Sequence, residues 1–396
     1  MVKLTFEDLT FSEEKDKVRV NFLEIYYFYL EKKNLKKISD FVIEKNSITF
    51  KDVSEKRARH KFNFLLNKGF NNLKNSLTNR KTIYIHKNSN IPLIGTLYFG
   101  IIDKGSNMIE LKPNTGCNLN CIFCSVDEGK SSRRLIDYVV EKGYLVEELK
   151  KIIEFKQKKV DIYINPQGEP LLYADLVELV RDISKIKNIN IISIITNATL
   201  LNKKKLDELI NAGLNQINIS INALDESLSK KLAGTKNYNL KHVLEITKYA
   251  SKRIKTVIAP VLLDNINEKD IESLVKFAKN IKAEILIQNF LYNKKGRNPV
   301  KQLSWNKFYE ILRDLEQKYN IKLIVKCPLV ETKKLPLPFK RGDIIKAKVM
   351  IQGRNKNEKL AVVGNRVILI PNLKKIGYVK VKIKHSNNNI FTGEKI

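Results

Sequence analysis

The segment M-I-E-L-K-P-N-T-G-C-N-L-N-C-I-F-C, residues 108–124, is the most informative stretch of this 396-residue chain. Residues 108–111 have the composition of a short strand, and the Lys-Pro-Asn-Thr-Gly run that follows is typical of a loop. Three cysteines therefore lie just beyond the carboxyl end of a strand, which is the edge where α/β folds place their active sites. The segment predicts a functional loop rather than a packing element.

Cys117, Cys121 and Cys124 have the spacing C-x3-C-x2-C, which lets one loop surround a compact inorganic core. Iron–sulfur clusters and structural zinc sites normally take four protein ligands, so three thiolates leave one coordination position open. The fourth cysteine, Cys327, lies far along the chain, and no histidine lies near the loop. The spacing favours an open site for chemistry, and a structural zinc site completed by a distant residue is the alternative.

With Phe123 directly before the last cysteine, this spacing resembles the radical S-adenosylmethionine (SAM) superfamily. The resemblance implies a [4Fe–4S] cluster on Cys117, Cys121 and Cys124, with Phe123 beside the cofactor. It also implies that the amino and carboxylate groups of SAM chelate the fourth iron. An electron from the cluster would then cleave SAM to the 5′-deoxyadenosyl radical, so a low-potential electron donor is an expected partner.

A second motif strengthens the resemblance, because the strand-like residues 160–164 run into Asn-Pro-Gln-Gly-Glu-Pro. In the superfamily a Gly-Glu-Pro segment at this position receives the SAM amino group, which implies that Gly168, Glu169 and Pro170 contact the cofactor. Glycine and proline produce an irregular backbone whose carbonyls, together with a carboxylate, can accept hydrogen bonds from an ammonium. Gln167 stands where the usual pattern has another glycine. An ordinary strand-to-helix turn is the alternative interpretation.

Residues 160–320 alternate apolar β-branched runs with amphipathic helical stretches, which predicts a parallel sheet covered by helices. Counting the strand before the cysteines gives six strand–helix units. Six units match the partial (βα)6 TIM-like barrel that the resemblance implies. The predicted strands are 160–164, 190–196, 216–222, 256–263 and 284–290, and the predicted helices are 174–186, 203–212, 239–252, 268–279 and 304–318.

Polar residues at the ends of two of these strands become candidate cofactor contacts through the resemblance. Thr196 and Asn197 end the third strand, where polar groups would line the cofactor. Ser220 and Asn222 end the fourth strand and alternate to one face, so both could reach the ribose hydroxyls of SAM. The superfamily relatives carry aspartate where this chain has Asn222. Simple strand-end caps are the alternative for these residues.

The last part of the chain, residues 336–396, changes to short β-runs, and Gly-Asn at 364–365 is a hairpin signal. This series of short β-runs separated by turn residues predicts a small OB-like five-stranded β-barrel after a linker at 335–338. The spacing of these strands and the segment V-V-G-N-R-V-I-L-I-P-N resemble the TRAM domain of several tRNA-modifying enzymes. The predicted strands are 344–351, 359–363, 366–371, 378–384 and 390–392.

The chain is strongly basic, with 73 Lys and Arg against 42 Asp and Glu and a net charge of +31. Residues 336–396 alone hold 14 Lys and Arg against 3 Asp and Glu, which is typical of a domain that binds a polyanion. RNA, with tRNA as the expected class, is therefore the predicted partner, and a lysine excess spread evenly over the surface is the alternative. The basic segment 51–81 predicts either a solvated helix face or a second RNA contact.

The N-terminal residues 1–105 are predicted to form an α-rich region, with an aromatic helix over 20–32. The radical SAM partial barrel is expected over 106–330, and the C-terminal barrel over 336–396. No apolar run approaches the roughly 18 residues of a membrane span, and the first residues lack a secretory signal. Four cysteines, three of them with cluster-like spacing, indicate a reducing, cytoplasmic location.

Together these features predict a radical SAM enzyme that uses a [4Fe–4S] cluster to modify RNA. The chain resembles an archaeal group of predicted Fe–S oxidoreductases with a C-terminal TRAM-like domain. Methylthiotransferases carry a second cluster on three further cysteines, but only Cys327 remains here, so sulfur insertion is not expected. Cys327 is a candidate catalytic methyl acceptor, as in the superfamily's adenine methylases, or an ordinary buried cysteine. The alternative functions are a radical enzyme for a small molecule or protein, and a non-catalytic RNA-binding Fe–S protein.

Overall fold

The computed structural model describes residues 1–325 and 329–396, and its N-terminal region is built mainly from β-strands. The prediction of an α-rich region with a helix over 20–32 is wrong. Tyr26, Phe28 and Leu30 are buried while the residues between them are not, and this period of two belongs to a strand. The elements are β1 (Val2–Thr5), β2 (Leu9–Glu14), β3 (Lys17–Phe22), β4 (Tyr26–Glu31), α1 (Lys32–Lys36), β5 (Phe41–Glu44), β6 (Ser47–Phe50), α2 (Glu55–Phe70), β7 (Lys74–Asn75) and β8 (Lys81–Ile85).

The central region alternates strands and helices, as the apolar runs predict. The elements are β9 (Gly100–Asp103), β10 (Met108–Lys112), β11 (Thr115–Gly116), β12 (Ile136–Val140), α3 (Lys142–Lys156), β13 (Val160–Ile164), β14 (Gln167–Gly168), α4 (Leu176–Ser184), β15 (Ile189–Thr196), α5 (Lys203–Ala212), β16 (Gln216–Ile219), α6 (Glu226–Ala233), α7 (Leu240–Ser251), β17 (Lys255–Ile258), β18 (Val261–Leu262), α8 (Glu268–Asn280), β19 (Glu284–Ile285), β20 (Gln288–Asn289) and α9 (Trp305–Tyr319).

A seven-stranded sheet with the order β19-β17-β16-β15-β13-β10-β9 forms the centre of the molecule. The six strands from β10 to β19 are parallel and follow one another in chain order, while β9 lies antiparallel at the edge. Parallel neighbours require crossover connections, and the helices α3, α4, α5, α7 and α8 provide them. The α/β class and the parallel sheet are confirmed.

The two faces of this sheet differ in chemistry. One face carries buried isoleucines such as Ile162 and Ile217, which belong to the same apolar core as the covering helices. On the other face, a row of polar residues crosses four neighbouring strands in register. The row consists of Glu110, Tyr163, Ser193 and Gln216. The polar row, which includes the buried Ser193 and Gln216, gives this face a polar character that the isoleucine face lacks.

Strand β12 joins the central region to the N-terminal one. It pairs in parallel with β8, which places it at the edge of the six-stranded N-terminal sheet β12-β8-β7-β4-β3-β2. The cysteine loop lies between β11 and β12 in the chain. It is therefore held between two sheets, an arrangement that local sequence patterns do not predict.

The C-terminal region is a small closed barrel with the strand order β21-β22-β23-β25-β24, as predicted. Its interior is a separate apolar cluster that includes Ile368, Val381 and Phe391. None of the helices in residues 1–325 and 329–396 has the length and apolar character that a bilayer crossing requires. The strands of the barrel are β21 (Ile344–Gln352), β22 (Lys359–Val363), β23 (Arg366–Ile370), β24 (Gly377–His385) and β25 (Phe391–Lys395).

Candidate functional site

The cysteine loop, residues 117–124, lies beyond the carboxyl end of β10. Its three thiols are free and half-buried. Cys117 accepts a hydrogen bond from the backbone N–H of Leu119 at 3.4 Å, and Cys124 accepts one from the N–H of Glu128 at 3.3 Å. Burial raises the pKa of all three thiols, that of Cys121 to about 12. A bound cation would therefore be needed to hold them as thiolates.

Two glycines bring the cysteine loop against the second motif. Gly116 and Gly168 pair through the short parallel strands β11 and β14. A Cβ atom on Gly168 would lie 2.0 Å from the carbonyl oxygen of Gly116, so no larger residue fits there. The backbone N–H of Glu169 donates to the same oxygen at 2.9 Å. The Gly-Glu-Pro turn thus contacts the residue immediately before Cys117.

Glu169 is a buried carboxylate, with 2% of its surface exposed. It accepts hydrogen bonds from the backbone N–H groups of Leu171 and Asn197 and from the hydroxyl of Thr196. Burial raises the pKa of Glu169 to about 7, although these three donors act to lower it. None of the ion pairs in the described ranges involves this carboxylate. A cationic group placed beside it would favour its ionised form. Pro170 follows it as the first residue of a 3-10 turn.

The residues after β15 connect Glu169 to the cysteine loop. Thr196 donates to Glu169, and the amide nitrogen of Asn197 donates to Asn118 at 3.0 Å and lies 3.8 Å from the Cys117 sulfur. Asn118 in turn donates to Thr199 at 2.8 Å. Thr196 and Asn197 therefore orient the two motifs as well as bordering them.

Ser220 and Asn222 lie past the end of β16, because that strand stops at Ile219 instead of continuing to residue 222. The backbone N–H of Ser220 donates to the carbonyl of Thr196 at 2.9 Å, and the Ser220 side chain is half-buried. The amide oxygen of Asn222 accepts a hydrogen bond from the Val261 N–H at 2.9 Å. Both residues thus lie on the edge of the sheet that carries the cysteine loop.

Phe123 packs against a small apolar cluster that closes the far side of the cysteine loop. The buried members of this cluster are Ala223, Leu232, Leu263 and Phe290. Backbone hydrogen bonds also join the loop to the end of α6, from Asn120 to Ala233 and from Ile122 to Leu232. The remaining candidate, Cys327, lies outside the described residues.

Arg297 is a site residue that the sequence did not reveal. Its Nε donates to Asp127 at 2.8 Å, its Nη1 donates to the Cys121 carbonyl at 3.0 Å, and its backbone N–H donates to the Cys124 carbonyl at 3.0 Å. Its Nη2 is buried without a hydrogen-bond partner among the described residues. An acceptor brought by a bound group would satisfy it. A single arginine in the polar segment K-K-G-R-N carries no motif that could have identified this role.

A charged pair on the polar face of the sheet also escaped sequence analysis. Lys112, at the end of β10, lies 3.2 Å from a Glu110 carboxylate oxygen and donates to the Asn165 carbonyl at 2.7 Å. Burial lowers the pKa of Lys112, while the Glu110 carboxylate opposes that change. The alternation of charged and apolar residues along M-I-E-L-K was the available signal. This pair places charged groups on the polar face, at the end of the strand that leads to the cysteine loop.

Comparison with protein families and curated proteins gives the same family as the resemblance in the cysteine and Gly-Glu-Pro motifs. The family model described as the radical SAM superfamily matches residues 111–278. The chain is 43% identical over 360 residues to the uncharacterized protein MJ0103 of Methanocaldococcus jannaschii, covering 82% of this chain and 83% of that protein. It is 32% identical over 246 residues to the GTP 3′,8-cyclase of Campylobacter jejuni subsp. doylei, covering 61% of this chain and 71% of the cyclase.

Solved structures with a similar fold include TYW1 with a bound lysine–pyruvate adduct and SuiB of Streptococcus suis. TYW1 aligns with a TM-score of 0.42 and 20% identity, covering 58% of this chain and 81% of its own. SuiB aligns with a TM-score of 0.43 and 17% identity, covering 81% of this chain and 71% of its own. These likenesses concern the fold alone.

Proposed function

The chain belongs to the radical SAM superfamily, whose members are enzymes, and on this premise we propose that it modifies RNA without inserting sulfur. The expected substrate class is tRNA. The observation that carries the substrate class is an exposed row of lysines on the C-terminal barrel.

Cys117, Cys121 and Cys124 would hold the [4Fe–4S] cluster that the family implies. Three soft thiol donors on one loop fit an iron–sulfur core. No three His, Cys, Asp or Glu side chains in residues 1–325 and 329–396 converge on a single metal ion. The buried Nη2 of Arg297 offers a donor to a group bound at the loop. When bound, the cluster and SAM supply reductive cleavage of the sulfonium and hydrogen-atom abstraction.

Gly168, Glu169 and Pro170 would hold the amino end of SAM. This assignment is supported by the burial of Glu169 and by its raised pKa, because an ammonium beside it would supply a charge partner that residues 1–325 and 329–396 do not provide. Ser220 and Asn222 would hold the ribose, and Phe123, Thr196 and Asn197 would border the cofactor. The six parallel strands would curve into a partial (βα)6 TIM-like barrel with the polar row on its inner face.

The row of lysines follows two neighbouring strands of the C-terminal barrel. In the antiparallel register of β21 and β24, Lys346 lies opposite Lys380, and Lys348 lies opposite Tyr378. Tyr378 is 58% exposed, and the ammonium of Lys346 lies 4.9 Å from the centre of its ring. We call this surface the lysine strip; it consists of the exposed residues Lys346, Lys348, Tyr378, Lys380, Lys382 and Lys384.

The lysine strip has the chemistry of a single-stranded RNA surface. Lysines neutralise phosphates, and an exposed tyrosine can stack on an unpaired base. Lys384 alone among the strip lysines has an ion pair in the described residues, at 2.6 Å from Glu394. The other four ammonium groups have no carboxylate partner in residues 1–325 and 329–396, although that of Lys346 lies over the Tyr378 ring, so they can bind phosphates. This distribution of charge supports a TRAM-like role for the barrel.

The strip also leads toward the cysteine loop. Strand β21 continues from Lys348 to Gln352, and Arg354 just beyond it contacts Glu128. The six residue-to-residue steps from Lys348 to Arg354 span at most about 20 Å at the rise of an extended strand. RNA bound along the strip would thus place a nearby nucleotide within reach of the candidate site.

The proposal is tested by mass spectrometry of nucleosides from tRNA and rRNA of a deletion strain. We expect one modified nucleoside to disappear, to return with the wild-type gene, and to stay absent with the Cys124→Ala gene. Complete and unchanged modification of both RNA classes in the deletion strain would refute RNA as the substrate.

A radical enzyme acting on a small molecule is the second candidate, and the similarity to a GTP 3′,8-cyclase favours a nucleotide as that molecule. Equilibrium binding separates the two. An RNA enzyme should bind tRNA with an affinity that falls steeply with salt. Tight GTP binding without salt-dependent tRNA binding would support the second candidate. A non-catalytic Fe–S protein would bind RNA but form no 5′-deoxyadenosine.

A further inference from the structure

A cluster of buried charges joins the three regions of the chain beside the cysteine loop. Arg80 comes from the N-terminal region, Glu128 and Asp137 flank the segment after the cysteines, and Arg354 comes from the C-terminal barrel. Arg354 and Asp137 are 0% exposed, and Glu128 is 2% exposed. Charges this deeply buried persist in folded proteins when they are paired and hydrogen-bonded.

The guanidinium of Arg354 is the centre of this cluster. It forms an ion pair with Glu128 and lies 3.0 Å from a carboxylate oxygen of Asp137. Its Nε donates to the Ile136 carbonyl at 3.0 Å, and its Nη1 lies 3.4 Å from the side-chain oxygen of Gln167. One side chain of the barrel therefore contacts the segment after the cysteines, strand β12 and the residue before Gly168.

These contacts lead directly to the cysteines. The residue that Arg354 holds, Glu128, donates its backbone N–H to the Cys124 sulfur at 3.3 Å. On the other side of the loop, Asp137 accepts a hydrogen bond from the hydroxyl of Thr115 at 3.1 Å, two residues before Cys117. Each end of the loop is thus held by a residue, Glu128 or Asp137, whose carboxylate is paired with Arg354.

We propose that Arg354 is a positioning residue, through which the C-terminal barrel completes the cysteine loop by holding Glu128 and thereby Cys124. The barrel is then part of the site and not only an appended binding module. The same contact gives Gln167, which departs from the family's glycine, a partner from the barrel. The inference rests on the proposed role of the cysteines, so its first test uses protein without metal.

The first experiment measures the alkylation rate of each cysteine by iodoacetamide in the full-length, metal-free protein, using mass spectrometry. Arg354→Met should raise the rate at Cys124 severalfold relative to Cys121, because a loop no longer held at Glu128 exposes the half-buried Cys124 thiol to the reagent. Arg354→Lys, which keeps the charge but not the fork of donors, should give an intermediate rate. The matched control is Arg341→Met, which removes an exposed arginine of the same barrel and should leave the ratio unchanged.

A double variant separates positioning from folding. In Arg354→Met, Arg80 alone within the described ranges would pair with both Glu128 and Asp137. Adding Glu128→Gln leaves one buried carboxylate for Arg80, so the double variant should fold where the single variant does not. We expect it to keep the raised Cys124 rate. A folded methionine variant with the wild-type rate ratio would overturn the proposal. If neither methionine variant folds, a wild-type ratio of alkylation rates in Arg354→Lys would overturn the proposal.

The second readout is the electron paramagnetic resonance spectrum of the reduced, reconstituted protein. Hydrogen bonds to cluster sulfurs tune the reduction potential, so Arg354→Met should alter the spectrum and lower the midpoint potential. An unchanged spectrum and potential in folded Arg354→Met would contradict the proposal. Wild-type protein that takes up no iron would refute the cluster assignment instead, while the alkylation ratio would still decide the role of Arg354.

Discussion

The two sides of the C-terminal barrel use positive charge in opposite ways. Toward the cysteine loop, Arg354 is fully buried and lies between two carboxylates. On the solvent-facing surface of β21 and β24, the lysine strip is exposed, and of its five ammonium groups only that of Lys384 forms an ion pair among the described residues. A count of basic residues cannot distinguish these roles. Burial and pairing decide whether a charge supports the fold or remains available to a partner.

Removing the buried charge of Arg354 should have the largest effect on the stability of the protein. Arg354→Met should lower the free energy of unfolding by about 3–5 kcal/mol, because it leaves two buried carboxylates, Glu128 and Asp137, with Arg80 as their one ion-pair partner among the described residues. The exposed control Arg341→Met should change it by less than about 0.5 kcal/mol. Urea denaturation of the two variants measures both effects. Equal effects would mean that burial does not separate the two sides.

Removing the exposed charge should affect binding and spare the fold. Replacing the five strip lysines by glutamine should weaken single-stranded RNA binding on the order of 10²–10³-fold at physiological salt. It should also reduce the slope of log affinity against log salt by about 3 to 4. Fluorescence anisotropy over a salt series measures both.

The matched control for the strip replaces five exposed lysines of the central region and should leave most of the affinity intact. A similar loss in both variants would indicate non-specific attraction over the whole surface instead of a defined strip. The control positions are Lys187, Lys204, Lys241, Lys252 and Lys269.

Glu169 extends the comparison to a buried charge that has no ion pair among the described residues. Its pKa of about 7 in the folded protein exceeds the ordinary carboxyl value, so the folded state binds its proton more tightly than the unfolded state does. Stability from this group is therefore greatest below about pH 4.5 and is lost as the pH rises through 7. The loss should total about 3 kcal/mol.

Urea denaturation of the metal-free protein between pH 5 and 8 tests this prediction, with Glu169→Gln as the comparison. The variant cannot ionise, so its stability should fall less over this range than that of the wild type. Parallel pH profiles would contradict the raised pKa of Glu169 in the Gly-Glu-Pro turn.

Removing the aromatic ring of the lysine strip should have the smallest effect, and it affects RNA affinity only. Tyr378→Ala should weaken RNA binding by about 1–2 kcal/mol through lost base stacking, with the salt slope unchanged because no charge is removed. Tyr378→Phe keeps the ring and should bind nearly as well as the wild type. A loss of equal size in both variants would point to the hydroxyl instead of stacking.

The sequence predicted the features that are encoded locally. The apolar β-branched runs identified the parallel strands, and the turn signals identified the five strands of the small barrel. The aromatic run from Tyr26 to Leu30 misled because its residues suit either a buried helix or a strand, and alternating burial appears only once a sheet has formed. Strand β16 ends at Ile219, three residues before the end predicted from β-propensity, since the polar residues that follow leave the ladder of paired strands.

The contacts that tie the site together could not be predicted from local patterns. Arg354 and Glu128 are separated by 226 positions, and Arg297 reaches Cys121 across 176. Neither arginine lies in a recognisable motif, because each acts through tertiary packing. The cysteine loop and the Gly-Glu-Pro turn were identifiable because glycine, proline and cysteine at short spacing impose their own local geometry.

The most direct test of the central claim is the formation of 5′-deoxyadenosine by reconstituted protein given SAM and dithionite. A radical SAM enzyme built on Cys117, Cys121 and Cys124 should release this nucleoside, and Cys124→Ala should release none under the same conditions. Wild-type protein that carries its iron yet forms no 5′-deoxyadenosine, with or without RNA, would contradict the account.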